Sequence, residues 1–249
     1  MNDILVFIEH DDDGITDVSL QCLAVGRRLA DERGAGLGAA VLGAATDELA
    51  QAVAAGPVDT VYTVTAPELK DYVTPPQAVA MKAVLNAAGA DVVLFPASTV
   101  GNDLAPALAP MVDAACLVDA MEVTVEDGAV VPAKLEFDAK AKTSYRAAAG
   151  TVLAVTLGDG IAEPAALAGG SAAVQAVDVA FDAADLATAV EEREVAHKTV
   201  NLKDANVIIG GGAGVGSQEN FKLLEDLAAK LGGEIGATRA AVDAGWASA

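Results

Sequence analysis

The densest run of residues suited to holding a ligand is Gly210-Gly211-Gly212-Ala213-Gly214-Val215-Gly216-Ser217, after the apolar triplet Val207-Ile208-Ile209. Glycines let backbone N–H groups approach a phosphate, and a following helix N-terminus adds partial positive charge. The run lacks the Lys-Ser/Thr pair of a P-loop, so nucleotide hydrolysis is unsupported. It holds G-x-G-x-x-G-like spacings in several registers, which is an unspecific signal inside a glycine run; a permissive βα turn needs the same residues. Further on, Thr238 and Arg239 lie between Gly236 and Gly245, with Asp243 close behind. A cation there suits an anionic or redox-active ligand, and it equally suits a surface ion pair with Asp243. Ser98, Thr99 and Asn102 follow an apolar run, where they serve either as hydrogen-bond donors to a ligand or as a helix cap and first turn. His10, just past the first apolar run, reads as a satisfied strand-end residue. No Ser–His–Asp, Cys–His or paired-carboxylate arrangement follows from spacing.

These residues need elements to hold them. "ILVFIE" (4–9), "GLGAAVLG" (36–43), "TVYTV" (60–64), "DVVLFPAS" (91–98) and "TVLAVTLG" (151–158) are short apolar runs of the kind found in parallel strands buried on both faces. Helical stretches separate them. One has apolar positions at Val18, Cys22, Val25 and Leu29 and ends at Gly34; one starts at Thr46; one opens with prolines and closes at Gly89; one is "GNDLAPALAPMVDAA". After Leu117 the pattern alternates around "EDG", which predicts an antiparallel hairpin. Residues from Asp159 to about Leu186 read as loop or covering segment. The expected fold is α/β: a Rossmann-like, twisted, mostly parallel sheet flanked by helices, with an added antiparallel hairpin. The expected division is an N-terminal domain over 1–190, a polar linker over 191–205, and the first strand–helix unit of a second α/β domain over 206–249. In that unit Ser217 caps a helix whose apolar face is Phe221, Leu224, Leu227, Ala228 and Leu231, and "EIGATRA" feeds a second strand.

Composition narrows the function. The 249 residues carry 36 acids against 15 Lys and Arg, a net charge of −21. Nucleic acid and anionic membranes are poor partners for such a chain, because a phosphate footprint needs clustered cations. Cys22 and Cys116 each lie in an apolar stretch and read as buried small hydrophobes, and two histidines cannot build a histidine-rich metal site. No secretory signal and no uninterrupted apolar run of transmembrane length is present, so a cytoplasmic protein is expected.

The order of these blocks resembles a known family. "VIIGGGAGVGS" followed by "SQENFKLLEDLAAKLGGEIGATRAAVDAGW" is similar to the junction region of the electron transfer flavoprotein alpha subunit. "ILVFIEH" resembles that family's opening strand, and "LFPASTVGNDLAPALAPMVDAACLVD" resembles its G-R-D-L-A-P segment. The resemblance spans essentially the whole chain.

It implies an electron carrier rather than a catalyst with its own substrate. The implied assembly is a heterodimer with a beta subunit, which commonly carries AMP or a second flavin, while FAD sits in the alpha subunit's C-terminal domain. Electrons would come from acyl-CoA or similar dehydrogenases, as in fatty acid β-oxidation, and pass to a quinone oxidoreductase or another acceptor; some relatives bifurcate electrons. Carried over by position, the turn Gly211, Gly212, Ala213, Gly214 opens the flavin domain, with Ala213 where the family has an arginine that touches FAD. Thr238 stands where the family has a flavin-contacting serine, and Arg239 matches its arginine over the isoalloxazine. Asn102 and Ala107 replace arginines of the G-R-D-L-A-P-R segment. The family's Q-V-G-Q-T-G-type loop and the stretch holding the FAD pyrophosphate, ribose and adenine have no counterpart, so weak flavin binding by the chain alone is expected. Two other readings stay open: a non-redox scaffold that docks a beta-type partner without flavin, and, on fold analogy, an adenine-nucleotide-binding protein.

Overall fold

The computed structural model describes residues 3–11, 14–192, 202 and 205–247. The chain forms two compact units, 1–191 and 192–249. Most of the expected linker, 191–205, lies outside the described residues.

The N-terminal unit alternates strands and helices as the apolar runs require. β1 (Ile4–Phe7) is followed by a short pair, β2 (His10–Asp11) and β3 (Gly14–Ile15), and by α1 (Asp17–Arg33). Then come β4 (Leu37–Gly43), α2 (Asp47–Ala54), β5 (Thr60–Thr65), α3 (Thr74–Ala88), β6 (Val92–Pro96) and α4 (Thr99–Met111). β7 (Ala115–Ala120) precedes an antiparallel set of β8 (Glu122–Glu126), β9 (Ala129–Glu136) and β10 (Ala141–Ser144). β11 (Leu153–Leu157) and β12 (Ala173–Ala176) complete the unit. Seven strands form one sheet in the order β12-β5-β4-β1-β6-β11-β7, and every pairing in it is parallel.

A parallel sheet must be covered on both faces, and period-two alternation supplies both layers. Ile4 and Val6 join Cys22, Leu23, Val25 and Leu29 of α1 and Val53 of α2 in one buried cluster. Leu5 and Phe7 join Met81 and Val84 of α3 and Leu104 and Leu108 of α4 in the other. Fully burying one such side chain contributes about 1.5–3 kcal/mol. Helix ends follow local chemistry: the Thr16 hydroxyl accepts from the Ser19 amide at the start of α1, and Gly34, at φ 62°, supplies the left-handed residue that ends it.

Two strands escape the sequence reading. β7 pairs with β11 at one edge of the sheet, and only Ala120 of its residues is buried. β12 pairs with β5 at the other edge with all its residues exposed, inside the stretch expected to be loop. An edge strand with one covered side carries no continuous apolar signal. Cys22 is buried as expected, and burial, reinforced by the charge of Glu9, pushes its thiol well above the usual range. Cys116 is a correction: it sits on edge strand β7 and is exposed.

The predicted hairpin is real and larger than expected. β8 and β9 meet at Asp127-Gly128, with φ of 50° and 77°, the two-residue turn whose twist suits a hairpin. β10 adds a third strand to β9 through a turn in which Phe137, Asp138 and Ala139 all have positive φ, at 52°, 54° and 61°. Each such non-glycine residue costs about 1 kcal/mol. Thr143 Oγ1 donates to Glu136 at 2.8 Å and the Tyr145 hydroxyl donates to it at 3.0 Å, fastening β10 to β9.

Two predictions follow from this packing. A Cβ on Gly101 would lie 1.8 Å from the carbonyl oxygen of Pro96, so α4 starts directly on the end of β6. Gly101→Ala is expected to cost about 3 kcal/mol and lower the melting temperature by roughly 10 °C, read by calorimetry. An unchanged melting point would show that this close approach is absent. The hydrogen bond from Thr143, then that from Tyr145, holds the Glu136 carboxyl below its ordinary value. A carboxyl with a depressed folded pKa contributes fully above its unfolded value and loses that contribution as pH falls through the folded one. Amide protection factors along β9 and β10 should therefore be high near about pH 6 and drop below about pH 4. Glu136→Gln should abolish that pH dependence.

Candidate functional site

The glycine run and the Thr238–Arg239 pair both lie in the C-terminal unit. β13 (Ile208–Gly211) leads into a 3-10 turn over Ala213–Val215, then α5 (Gln218–Leu231), β14 (Glu234–Ala237) and α6 (Arg239–Asp243). β13 and β14 pair in parallel, with Gly210 opposite Gly236 and Gly211 opposite Ala237. That register brings the carboxyl ends of both strands side by side. The Thr238 amide donates to the Gly211 carbonyl at 2.9 Å, and a Cβ on Gly212 would sit 3.4 Å from the Thr238 methyl. The glycine turn and the Thr238–Arg239 pair thus share one surface.

Each glycine in the run has its own reason. Gly211 has no room for a side chain, since a Cβ would meet the Phe221 ring at 2.5 Å and Leu224 at 2.6 Å. Gly210 and Gly214 are open: a Cβ there would meet nothing within 4 Å. Packing therefore explains the first and leaves the other two as room beside the turn. Ser217 caps α5, its hydroxyl accepting from the Asn220 amide. The Gly211 turn rests on Phe221, which is 1% exposed, so α5 fixes the strand end from beneath.

Among the helix residues expected to form one apolar face, Phe221 and Ala228 are buried, while Leu227 and Leu231 are exposed. Leu223 is exposed as well. A two-stranded sheet is too narrow to cover a helix of this length, which is why the face is only partly used.

Thr238 is the N-cap residue of α6, yet its hydroxyl makes no capping bond. Arg239 is 93% exposed, and its Nε lies 3.6 Å from Asp243 Oδ2. An exposed pair of this kind is worth about 0–1 kcal/mol, so it does not lock the guanidinium in place. Ala213 opens the 3-10 turn and brings no charge to it.

The second candidate, in the N-terminal unit, is filled by its own side chains. In the sheet order, β1 lies between β4 and β6, so the chain reverses direction across the sheet at β1. Ligands of open α/β sheets bind at the carboxyl ends of strands at such a point. Here Ser98 Oγ donates to the Glu9 carboxylate and accepts from the Gly101 amide at 2.9 Å. The Glu9 amide in turn donates to Ser19 Oγ at 2.8 Å. Ser98 is thus a helix cap, and Thr99 begins α4. Asn102 is committed to a bulge: the Asp119 amide donates to Thr156 Oγ1 at 2.8 Å, Thr156 Oγ1 donates to Asn102 Oδ1 at 2.6 Å, and Asn102 Nδ2 donates to Asp119 at 3.2 Å. That loop holds Asp119 at a φ of 58°. The His10 ring is bonded through Nε2 to the Leu42 carbonyl at 2.8 Å.

An open groove of about 940 Å3 lies in the N-terminal unit, lined by Ile15, Leu20, Leu49 and Leu167 together with Asp47 and Glu48. It holds none of the residues singled out for chemistry. Among the described residues no cluster of His, Cys, Asp and Glu could hold a metal, and no helix is long and apolar enough to cross a membrane.

Comparison with known proteins agrees with this architecture. A family model described as the electron transfer flavoprotein domain matches residues 4–183, and one described as the electron transfer flavoprotein FAD-binding domain matches residues 201–249. An electron transfer flavoprotein subunit alpha of Bacillus subtilis is 30% identical over 98% of this chain and 74% of its own length. One from Megasphaera elsdenii is 31% identical over 99% and 75%. A protein FixB of Clostridium saccharobutylicum is 30% identical over 98% and 73%. With the N-terminal match alone covering well over half of its length, the chain belongs to the electron transfer flavoprotein family, on the alpha-subunit side.

Proposed function

We propose that the chain is the alpha subunit of a two-subunit electron carrier, with FAD held at the carboxyl ends of β13 and β14 and a beta subunit as its partner. In this reading electrons arrive from dehydrogenases of the acyl-CoA type and leave to a quinone oxidoreductase or a similar acceptor. The chain carries electrons and transforms no substrate of its own. The division into a docking unit over 1–190 and a flavin unit from 206 onward belongs to the same reading.

The observation that carries it is the meeting of the glycine turn with Thr238 and Arg239 through the parallel register of β13 and β14. The residues present fit a flavin in three respects. Gly210 and Gly214 leave room beside the turn, the Thr238 hydroxyl is not spent on a cap, and the Arg239 guanidinium is held only by a weak exposed pair. A bound flavin supplies reversible electron storage. The chain's part is binding and electrostatics. In the Ala213–Val215 turn the Val215 amide donates to the Gly212 carbonyl at 3.0 Å, which leaves the N–H groups of Ala213 and Gly214 for an anion. Thr238 offers a hydroxyl, and Arg239 offers positive charge where reduction adds negative charge. Ala213 offers no cation, so the turn contributes backbone alone.

Opposite charges 4 Å apart interact by about 4 kcal/mol at an effective dielectric near 20. If about 1 kcal/mol of that survives as a net difference between oxidation states, the one-electron potential rises by ~40 mV. In the heterodimer, Arg239→Ala should lower the flavin potential by ~40 mV while Arg239→Lys keeps most of it, read by spectroelectrochemistry. The non-redox scaffold is favoured by one observation, Ala213, which brings no charge to the turn. A heterodimer purified without flavin, or a potential indifferent to Arg239, would establish the scaffold instead. A second comparison separates packing from binding. Gly211→Ala should destabilise the C-terminal unit, because Phe221 and Leu224 stand in the way. Gly214→Ala should leave the melting curve unchanged yet reduce the flavin content of the purified heterodimer. Full flavin content in Gly214→Ala would remove the turn from the binding site.

A further inference from the structure

The groove of the N-terminal unit lies where open α/β sheets take their ligands, beyond the carboxyl ends of strands. Ala44, directly after β4, and Thr65, the last residue of β5, both line it. Its volume of about 940 Å3 is that of a small-molecule site.

The apolar part of the lining is assembled from four elements. Ile15 comes from β3, Leu20 from α1, Leu49 from α2 and Leu167 from the segment between β11 and β12. Each packs on the buried cluster beneath it and is itself only half-buried, because its outer side faces the groove. Leu167 is held there by the backbone on either side. The Ala165 amide donates to the Leu20 carbonyl at 3.0 Å, and the Gly170 amide donates to the Ala55 carbonyl at 2.8 Å. Gly56 makes room for the side chain, since a Cβ there would lie 2.8 Å from Leu167 Cδ2. Four converging elements thus maintain one aliphatic surface that the fold leaves uncovered.

The polar part of the lining selects what can lie on that surface. The hydroxyls of Thr46 and Thr65 are bonded to each other at 2.6 Å. Asp47 and Glu48, in the first turn of α2, are exposed at the rim, and Asp11 is a third acid in the lining. No Lys or Arg lines the groove. Arg27, Arg28, Arg33, Lys142 and Arg146 are each paired with an acid elsewhere, and none of those pairs includes Asp47 or Glu48. An anionic ligand would meet repulsion from the rim. A neutral hydrocarbon would cover carboxylates without giving them a partner. An ammonium group on a hydrocarbon chain satisfies both surfaces, its methylenes on the leucines and its charge beside the acids.

We propose that this groove is a binding site for a free aliphatic amine, with the alkyl chain on Ile15, Leu20, Leu49 and Leu167 and the ammonium group at Asp47 and Glu48. The site lies wholly in the N-terminal unit and is independent of the flavin reading.

The test titrates the 249-residue chain with butyl-, pentyl- and hexylammonium, and with 1-hexanol and hexanoate, by calorimetry in about 0.1 M salt. Affinity for the amines should rise about threefold per added methylene, since each one covers more of the aliphatic surface. Hexylammonium should bind about fivefold more tightly than hexanol, and hexanoate should bind more weakly than either. The double variant Asp47→Asn, Glu48→Gln should lose the preference for the amine while still binding hexanol, which also shows that its groove is folded. Asp138→Asn, in the turn between β9 and β10, should change nothing. Amine affinity that is independent of chain length, or that falls equally in Asp138→Asn, would reveal counter-ions gathering on an acidic protein and overturn the site. Hexanol bound as tightly as hexylammonium would overturn the assignment to an amine. No saturable binding of hexylammonium up to about 10 mM would overturn the proposal outright.

Discussion

The parallel register between β13 and β14 is the constraint on which the candidate site depends. With Gly211 opposite Ala237, the residues that follow each strand, Gly212 and Thr238, emerge at the same edge and touch. A slip by one residue would turn every side chain of β14 to the other face and separate the hydroxyl and guanidinium from the turn. Two strands alone do not hold such a register firmly. The hold comes from α5, which places Phe221 and Leu224 where a side chain on Gly211 would otherwise be. The absence of a Cβ at one position thus lets the helix, the strand and the turn meet.

Electrostatics sets what that surface can do. In the free chain Arg239 is almost entirely in water and shares an exposed ion pair with Asp243, so its charge is screened and its stabilising worth is small. The same charge acts several-fold more strongly once water is excluded and the effective dielectric falls. The guanidinium therefore gains influence through whatever covers it, and the weakness of its present pair is what leaves it available. Ala213 leaves the turn itself without a cation, so the charge that adjoins it through Thr238 is that of Arg239.

Much of the fold could be read from the chain because buried parallel strands and capped helices leave strong local marks. The runs at 4–9 and 36–43, the helix closed by Gly34 and the Asp127-Gly128 turn all behave as their residues demand. β12 is invisible for the opposite reason: an edge strand with every side chain in solvent is an alanine-rich loop as far as composition goes. Cys116 misled because an apolar neighbourhood in sequence says nothing about lying at a sheet edge. For the site, the glycine run and Arg239 were legible as types, and their adjacency was not, since strand pairing is a long-range choice. The β9–β10 turn was illegible altogether. Phe137-Asp138-Ala139 contains no glycine, so nothing in the residues announces a left-handed backbone.

The two units answer the same topological question differently. In the N-terminal unit the reversal point at β1 and β6 is closed from within: Glu9 brings its own carboxylate to Ser98, the cap residue of α4, and Ser19 holds the Glu9 backbone. An anionic ligand would have to displace a carboxylate already favoured by the helix end, and the repulsion between the two anions would oppose it. In the C-terminal unit the equivalent edge has no acid in the turn; it has open glycines, a free hydroxyl and a cation. A phosphate-bearing cofactor is therefore disfavoured at the first site by charge and admitted at the second. The same charge logic makes the two strand-end edges chemically unlike, the first closed by a carboxylate and the second open beside a cation.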